Sequence, residues 1–583
     1  MKKQYNAAIP MRDGLILRAD LYFPEEGACF PTILVRTPYD KTEYTQTPRY
    51  TSPDLYTASG YAVVVQDCRG TGESEGYYQP WLMDAEDGYD TVEWVAAQEW
   101  SNGKVGMMGS SNLGATQLLA ASMRPPHLTC ICPAGTSAGF PFFKNGVMDL
   151  AGTAIWYMQQ AVRTSRRAGM EPEALARLTQ KMKELSDRVE EQLPCLPLRD
   201  IPFAHVEDVQ MDRFFLEYLD HIEEVAYWTK LHMPADLRAI EVPTLWIMNW
   251  YDHLAKTVLE GYHTMKTACV PSAQDNLYLY FGPWRIYGGV EGSDAGACLP
   301  GDPTGQPVWG IGKRLSEILL SWFDFWLKGE DSSFNREQHV LVHTLGEEAR
   351  WRYEAAWPLP ETVFTRFYLS SCKGANTFHG DGRLTKEQPK TELPDSYEYD
   401  PKHPAPSKSG LVINPKDSLI QDQTEVEARW DVLVYTTEVL EERMEITGPV
   451  TAKLWASTDG PDTDFVVKLV DVHPDGTPYN LTEGIVRARF RNGWDRPELL
   501  IPDAVYEYEI DLGGIGIVLG KGHAIRIEIA SSNFPKWDRN LNTGHAVGQD
   551  AETRIAKQKI YHDAEHPSHV VLPVISAKTT RQD

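Results

Sequence analysis

The sequence lacks any apolar run of the roughly 20 residues that a membrane-spanning helix requires. No apolar stretch of signal-peptide length follows its first residues, MKKQYN. Basic side chains are in deficit, with 56 Lys and Arg against 82 Asp and Glu and a net charge of -26. Such a charge repels nucleic acid and anionic membrane surfaces, so neither is an expected partner. We therefore expect a cytoplasmic protein.

Cysteine is also scarce, with eight residues scattered among 583. Cys130 and Cys132 lie two positions apart, but no second Cys/His cluster with zinc spacing accompanies them. The expected state of these residues is therefore a buried thiol in a reducing compartment. We expect neither a metal nor a cofactor.

Three patterns of predicted secondary structure follow one another along the chain. The first part alternates short apolar strands with helices, which predicts a parallel sheet covered by helices. Strand signals then disappear, and residues 149–163 and 172–192 have the spacing of helices. After residue 351 short strands alternate with Gly, Pro and Asp turns, a pattern typical of a β-sandwich. The predicted domains are an α/β domain at 1–139 and 239–350, a helical cap at 140–238 and a sandwich at 351–583.

The sequence GMMGSSNLG at 106–114 predicts a sharp turn between a strand and a helix. Ser111 lies two residues after Gly109 and three before Gly114. Side chains at the two glycine positions would collide with the neighbouring strand and helix. Such a turn lifts a nucleophilic serine above a sheet, and the backbone N–H of Asn112 would stabilise a developing oxyanion. Ser110 is the competing nucleophile, and an ordinary turn is the alternative interpretation.

Further motifs are spread over nearly the whole chain: MRDG at 11–14, TPYDK at 37–41, DCRGTGESEG at 67–76, WYD at 250–252, GPW at 282–284, RWDVLVYTTE at 429–438 and SSNFP at 531–535. Together with the Ser111 turn they resemble the CocE/NonD family of α/β-hydrolases, the cocaine esterase-like enzymes related to X-Pro dipeptidyl-peptidases and α-amino acid ester hydrolases. The resemblance implies an α/β-hydrolase domain with an inserted helical cap, followed by a C-terminal all-β jelly roll.

The resemblance also implies roles for particular residues. Ser111 matches the family nucleophile, Asp252 matches the acid of the triad, and Tyr39 matches the tyrosine that completes the oxyanion hole. The family usually has tyrosine where Asn112 stands, which changes the wall of the site but keeps the backbone donor. For Tyr39 the structural alternative is an aromatic anchor of the core, and for Asp252 it is a carboxylate that caps a helix at Leu254.

The resemblance also implies a histidine two positions after the GPW motif. That position is Ile286 here, so this sequence lacks the family histidine. Isoleucine accepts no proton, and serine needs a base because its hydroxyl is a weak nucleophile at neutral pH. Loss of such a base typically costs about 10⁶ in rate. The candidate substitutes in the sequence are His253, His263 and His232. Without an imidazole partner, the pKa of Asp252 should rise.

Aromatic and charged residues near these motifs are candidates for a pocket that binds an apolar small molecule, although core packing is the alternative for each. They are Trp156, Tyr227, Trp228, Trp250, Tyr251, Trp284, Arg285 and Tyr287. Arg285 could pair with Asp252 or hold a substrate carboxylate.

Three functions remain open from the sequence. The first is a serine acyl-hydrolase or acyltransferase that acts through Ser111 on a small-molecule ester, amide, thioester or lactone, with an atypical triad. The second is a cyclase, lyase or isomerase that uses Asp252 and Tyr39, such as an enzyme of secondary metabolism. The third is a non-catalytic binder. An enzyme is favoured because a binder need not retain Ser111, Asp252 and Tyr39, and a homodimer is compatible with the sequence.

Overall fold

The computed structural model describes residues 1–46, 52–136, 143–144, 146–167, 169–206, 214–230, 236–250, 252–283, 315–332, 334, 336–408 and 420–576. Two large units follow one another in this part of the chain, and a helical segment interrupts the first. No described helix combines the length and the apolar character that crossing a bilayer requires.

The strands of the first unit are β1 (Lys2–Pro10), β2 (Ile16–Phe23), β3 (Phe30–Thr37), β4 (Ala62–Asp67), β5 (Ser101–Ser110), β6 (Leu128–Ala134), β7 (Phe143–Lys144), β8 (Val147–Met148), β9 (Thr244–Asn249), β10 (Leu277–Gly282), β11 (Val340–Gly346) and β12 (Arg350–Glu354). All except β7 and β8 form one sheet in the order β1-β2-β4-β3-β5-β6-β9-β10-β11-β12. The sheet is parallel from β4 to β11. Every residue of β4, β9 and β10 is buried, as expected for parallel strands covered on both faces.

The α-helices around this sheet and in the inserted segment are α1 (Lys41–Gln46), α2 (Pro53–Ala58), α3 (Asp84–Ala96), α4 (Asn112–Ser122), α5 (Leu150–Arg167), α6 (Pro172–Asp187), α7 (Val189–Gln192), α8 (Phe214–Asp220), α9 (Val225–Lys230), α10 (Ala255–Ala268), α11 (Pro271–Gln274) and α12 (Leu315–Phe323). Between β8 and β9 the described residues form helices and turns without strands, as the loss of strand signals predicted.

The second unit contains α13 (Thr424–Glu427) and the strands β13 (Thr362–Ser370), β14 (Arg383–Thr385), β15 (Asp395–Tyr399), β16 (Leu433–Thr436), β17 (Met444–Thr458), β18 (Asp464–Val472), β19 (Pro478–Arg487), β20 (Tyr506–Leu519), β21 (Ala524–Ala530), β22 (Ala556–Tyr561) and β23 (His569–Ile575). One ladder runs β19-β18-β21-β16, and the long β17 pairs with β20, β22 and β23. The architecture confirms an α/β-hydrolase domain followed by an all-β domain. The domain boundaries given above remain predictions.

The start of the inserted segment is fastened to the second unit. Arg487 is almost fully buried, donates hydrogen bonds to Asp464 and Asp538, and also donates to the carbonyl of Gly146 at 3.2 Å. The N–H of Met148 donates to Asp538 at 2.7 Å. A buried arginine with two carboxylate partners is costly to disturb. These contacts therefore fix the start of α5 against the C-terminal domain.

Candidate active site

Ser111 occupies the turn between β5 and α4. Its backbone has φ 60° and ψ -128°, a left-handed conformation that side chains rarely adopt. Backbone hydrogen bonds stabilise this conformation, because the N–H of Ser111 donates to the carbonyls of Ala134 and Gly135 at 3.0 and 3.1 Å. The serine is partly buried at the carboxyl end of the central strands, where α/β enzymes bind their ligands.

Two glycines make this turn possible. Gly109 has φ 142°, and a β-carbon there would lie 2.5 Å from the β-carbon of Leu113. A β-carbon on Gly114 would lie 2.6 Å from Thr136. Both distances are too short for ordinary carbon contacts, so the close approach of strand, turn and helix requires glycine at each position.

Tyr39 is held in the loop after β3. Its N–H donates to Thr37 Oγ1 at 3.0 Å, and the next residues lead into α1. The beginning of α1 is anchored by Lys41, whose ammonium donates to the buried carboxylate of Asp67 at 3.0 Å while its N–H donates to the same group at 2.7 Å. This buried pair connects the Tyr39 loop to the glycine-rich segment at 67–76.

The Tyr39 hydroxyl lies 3.3 Å from Ser111 Oγ. The indole N–H of Trp156 approaches the same hydroxyl at 3.5 Å, and the guanidinium of Arg163 lies 5.3 Å from the centre of the Tyr39 ring. Both side chains belong to α5, seven residues apart on one face of the helix. Helix α5 therefore closes over the tyrosine and holds it beside the serine.

Asp252 follows β9 and precedes α10. Only 2% of the residue is exposed, and Oδ1 accepts the N–H of Leu254 at 2.9 Å. Its other oxygen lies 3.5 Å from the place that a β-carbon on Gly135 would occupy. Since the carbonyl of Gly135 accepts the N–H of Ser111, Asp252 and Ser111 flank the same glycine. Leu254 directly precedes α10, so this hydrogen bond also orders the turn that leads into the helix.

Burial raises the pKa of Asp252 above its usual range. Three neighbours lower this pKa, and they are His253, the N–H of Leu254 and the amide of Asn249. The negative charge of Asp149 raises it further. The amide of Asn249 donates to Oδ2 at 3.4 Å. The direction agrees with the sequence prediction for an acid without its usual imidazole.

Among the described residues, no imidazole is hydrogen-bonded to Ser111 Oγ. His253 instead lies beside the acid, with Nδ1 3.4 Å from Asp252 Oδ1. It faces a cavity of about 70 Å³ between the two units, together with Asp149, Glu483 and Lys536. His263 is exposed on α10.

The pocket candidates are separated by the fold. Trp156 reaches Tyr39 and stacks on Trp81 at 5.8 Å. Tyr227 and Trp228 pack within the inserted segment, where Tyr227 stacks on His221 at 3.8 Å and Trp228 is almost fully buried. Trp250 packs between the units, 4.3 Å from the ring of Phe281, and donates to the carbonyl of His343.

Several sequence candidates lie outside the described residues: Tyr251, Trp284, Arg285, Ile286, Tyr287 and His232. Asn112 is described as the first residue of α4, and it is 5% exposed. The first backbone N–H groups of a helix have no partner within the helix, so the N–H of Asn112 is available for an anion at this end.

Sequence reasoning missed three neighbours of the site. Trp81 and Arg163 carry no motif, although the spacing of Arg163 from Trp156 on α5 was a usable signal. Lys536 comes from the second unit, and it is fully buried beside Glu483. Nothing in the sequence indicated that residues 536 and 252 would line the same cavity, because that arrangement depends on how the two domains pack.

Comparison with known proteins agrees with this architecture. The family model described as X-Pro dipeptidyl-peptidase (S15 family) matches residues 13–285, and the one described as X-Pro dipeptidyl-peptidase C-terminal non-catalytic domain matches residues 332–571. The chain is 35% identical over 581 residues to cocaine esterase of Rhodococcus sp. strain MB1 Bresler, an alignment that covers 98% of each protein.

Solved structures show the same fold. An α-amino acid ester hydrolase is 24% identical with a TM-score of 0.76, covering 98% of this chain and 96% of that one. A CocE/NonD family hydrolase from Staphylococcus aureus is 19% identical with a TM-score of 0.70, covering 98% and 93%. With the full-length similarity to an esterase, these comparisons show that the chain belongs to the CocE/NonD family of α/β-hydrolases and is a hydrolase-fold enzyme.

Proposed function

We propose that the protein is a serine acyl-hydrolase or acyltransferase that acts on a small-molecule ester, amide, thioester or lactone through Ser111. The observation that carries this proposal is the pairing of a strained serine turn with the Tyr39 hydroxyl at 3.3 Å. A strained backbone at a turn is maintained only where the surroundings enforce it, and such strain is concentrated at functional sites.

In this mechanism Ser111 Oγ attacks the acyl carbon, and the carbonyl oxygen becomes an oxyanion. The Tyr39 hydroxyl and the Asn112 N–H stabilise that charge, because both donors are positioned before the reaction starts. The serine proton leaves as the new C–O bond forms, and collapse of the intermediate expels the alcohol, amine or thiol. Water or another nucleophile then attacks the acyl-serine and regenerates Ser111.

The proton acceptor is the atypical part of the proposed site. Ile286 stands where the family has histidine, and Asp252 is the nearby described carboxylate. A carboxylate with a raised pKa is a stronger base than an ordinary one, which supports Asp252 as the acceptor through a bridging water. We expect slower acyl transfer than in an enzyme with a complete triad, because removal of the triad histidine lowers the rate severely.

The substrate class follows from the surroundings and the relatives. Trp156, Trp81 and Phe214 form an aromatic group over Tyr39, with ring separations of 5.8 and 5.6 Å. Flat apolar groups pack well against such rings. The relatives are named as a cocaine esterase and an α-amino acid ester hydrolase, and both names denote esters. We therefore favour an ester with an apolar acyl group.

A second candidate is non-hydrolytic chemistry, such as cyclisation, elimination or isomerisation, with Asp252 as general acid or base and Tyr39 as oxyanion donor. The raised pKa of Asp252 favours it, because such a carboxyl group can exchange protons nearer neutral pH. In this case Ser111 would bind substrate without being acylated.

A fluorophosphonate probe tests the proposal and separates these candidates. We expect the full-length protein to be labelled, Ser111→Ala to lose labelling, and Ser110→Ala to keep it as the matched control. Absence of labelling, with turnover that survives Ser111→Ala but is lost in Asp252→Asn, would establish the second candidate. A thermal shift with substrates but no turnover in any assay would leave only a binding protein.

A further inference from the structure

A group of two imidazoles and one carboxylate lies far from Ser111 along the chain, in the C-terminal domain. Asp471 is on β18, His473 follows the end of that strand, and His523 lies in the connection from β20 to β21. The potential ligand atoms of the three side chains all lie within 4.8 Å of one another.

The distances within this group fit a coordination polyhedron. His523 Nδ1 is 2.8 Å from Asp471 Oδ1, and His473 Nε2 is 3.3 Å from Asp471 Oδ2. Zinc bonds to nitrogen and oxygen are about 2.0–2.2 Å long, which puts neighbouring ligand atoms roughly 3 Å apart. A metal ion could therefore contact all three groups after small side-chain movements, with little change of backbone.

Rigid elements hold the ligands. Asp471 pairs with Tyr479 on β19 and with Ile525 on β21, so its backbone has a strand on each side. His473 opens a tight turn, in which its N–H donates to the carbonyl of Thr477 at 2.9 Å. Sites built on strands and short turns are preorganised, which reduces the entropy lost on binding.

The electrostatics and access also suit a cation. The carboxylate of Asp471 is buried and lies within 3.3 Å of both imidazoles, so it offers an oxygen ligand beside two nitrogen ligands. The side chains of His473 and His523 are 23% and 13% exposed, which leaves a path from solvent. The carboxylate of Glu347 lies where a β-carbon on Gly520 would be, so it adds negative charge beside the β20–β21 turn.

We propose that Asp471, His473 and His523 form a binding site for a divalent transition metal of the zinc type, which clips the β18–β19 turn to the β20–β21 turn. Two imidazoles and a carboxylate are a ligand set that Zn²⁺, Co²⁺ and Fe²⁺ accept. Water would complete the coordination. No local motif predicts this site, and no metal was expected from the sequence, because strand pairing brings the three residues together.

The test uses the full-length chain, without an affinity tag and after treatment with a chelator. Titration with Co²⁺ should give one equivalent of bound metal and visible absorption bands that Zn²⁺ removes. Saturating Zn²⁺ should raise the Tm by at least about 2 °C, because a ligand that binds only the folded state stabilises it. His473→Gln, His523→Gln and Asp471→Asn should each weaken binding by at least about 100-fold, since changes outside the ligand set already cost about 10–100-fold.

Two matched variants locate the metal. His403→Gln removes an exposed imidazole that lies 2.9 Å from Asp400 in the same domain, and it should leave binding unchanged. His545→Gln disrupts a second, exposed group with Asp550 and Glu552. Absence of stoichiometric Co²⁺ binding in the wild type, or loss of binding in His545→Gln with retention in His473→Gln, would overturn the proposal. If one ligand variant fails to fold, the other two ligand variants and His545→Gln still distinguish the two groups.

Discussion

The hydroxyl of Tyr39 lies 3.3 Å from Ser111 Oγ across 72 positions of sequence. The tyrosine is fixed from two directions, by the Lys41–Asp67 pair at the start of α1 and by Trp156 and Arg163 on α5. A donor that is already fixed needs no reorganisation when charge develops on a substrate oxygen. This arrangement gives the proposed mechanism its most direct test.

Tyr39→Phe should lower kcat for a p-nitrophenyl ester by about 100- to 1000-fold, because it removes one oxyanion donor and keeps the ring. KM should change little, since the donor acts mainly on the transition state. Steady-state kinetics measure both values, and Tyr5→Phe, at an exposed tyrosine of β1, is the control. A loss confined to KM would assign Tyr39 to substrate binding.

Asn112→Ala should retain kcat within about tenfold of the wild type. The proposed donor at this position is the backbone N–H at the start of α4, which alanine keeps, so the side chain contributes only to the wall of the site. The same ester assay measures the effect. A loss as large as that of Tyr39→Phe would show that the asparagine side chain itself takes part.

Ile286→His should raise ester hydrolysis by at least about tenfold, because positioned acid–base catalysis contributes about 100- to 10⁴-fold when its geometry is right. Ile286→Ala, which opens the same space without a base, is the matched control, and initial rates of p-nitrophenyl ester hydrolysis measure the change. Equal rates in the two variants would mean that the volume of the side chain at position 286, and not proton transfer, limits ester hydrolysis.

Much of the fold was predictable because it follows from local patterns. The buried run of β4, the helical spacing of α3 and the glycines around Ser111 each act within a few residues. The family resemblance predicted Tyr39 and Asp252 as the partners of Ser111. It did not predict how far these side chains lie from the serine. Long-range packing decided the rest: Trp250 joins the interface with the second unit, and Lys536 lines the same cavity as Asp252 at that interface. No local pattern encodes such pairings.

The raised pKa of Asp252 predicts a pH profile. If ionised Asp252 accepts the serine proton, kcat/KM should rise with pH through a value above the ordinary 3.8 of an aspartate. Asn249→Leu should move this limb to higher pH, because the Asn249 amide favours the charged carboxylate. Asn276→Leu, on the exposed turn before β10, is the control. A limb at the same pH in Asn249→Leu would show that another group is titrating.

A buried histidine of the C-terminal domain predicts how stability depends on pH. The imidazole of His562 donates to Glu392 at 2.7 Å and to Asp395 at 3.0 Å. Burial acts against its charged form, but these two carboxylates outweigh burial and raise its pKa above the unfolded value of about 6.5. The stabilisation is therefore complete below about pH 6.5 and is lost as pH rises through the folded pKa.

His562→Gln should lower the free energy of unfolding by about 3 kcal/mol at pH 6, since it leaves two carboxylates without their buried cation. The difference from the wild type should be smaller at pH 9 than at pH 6, because this stabilisation is lost as the pH rises through the folded pKa of His562. Denaturant unfolding at both pH values measures the two gaps, with the exposed His403→Gln as control. A gap that stays constant or widens between pH 6 and pH 9 would show that the His562 side chain stabilises the domain by packing, and that its charge contributes nothing.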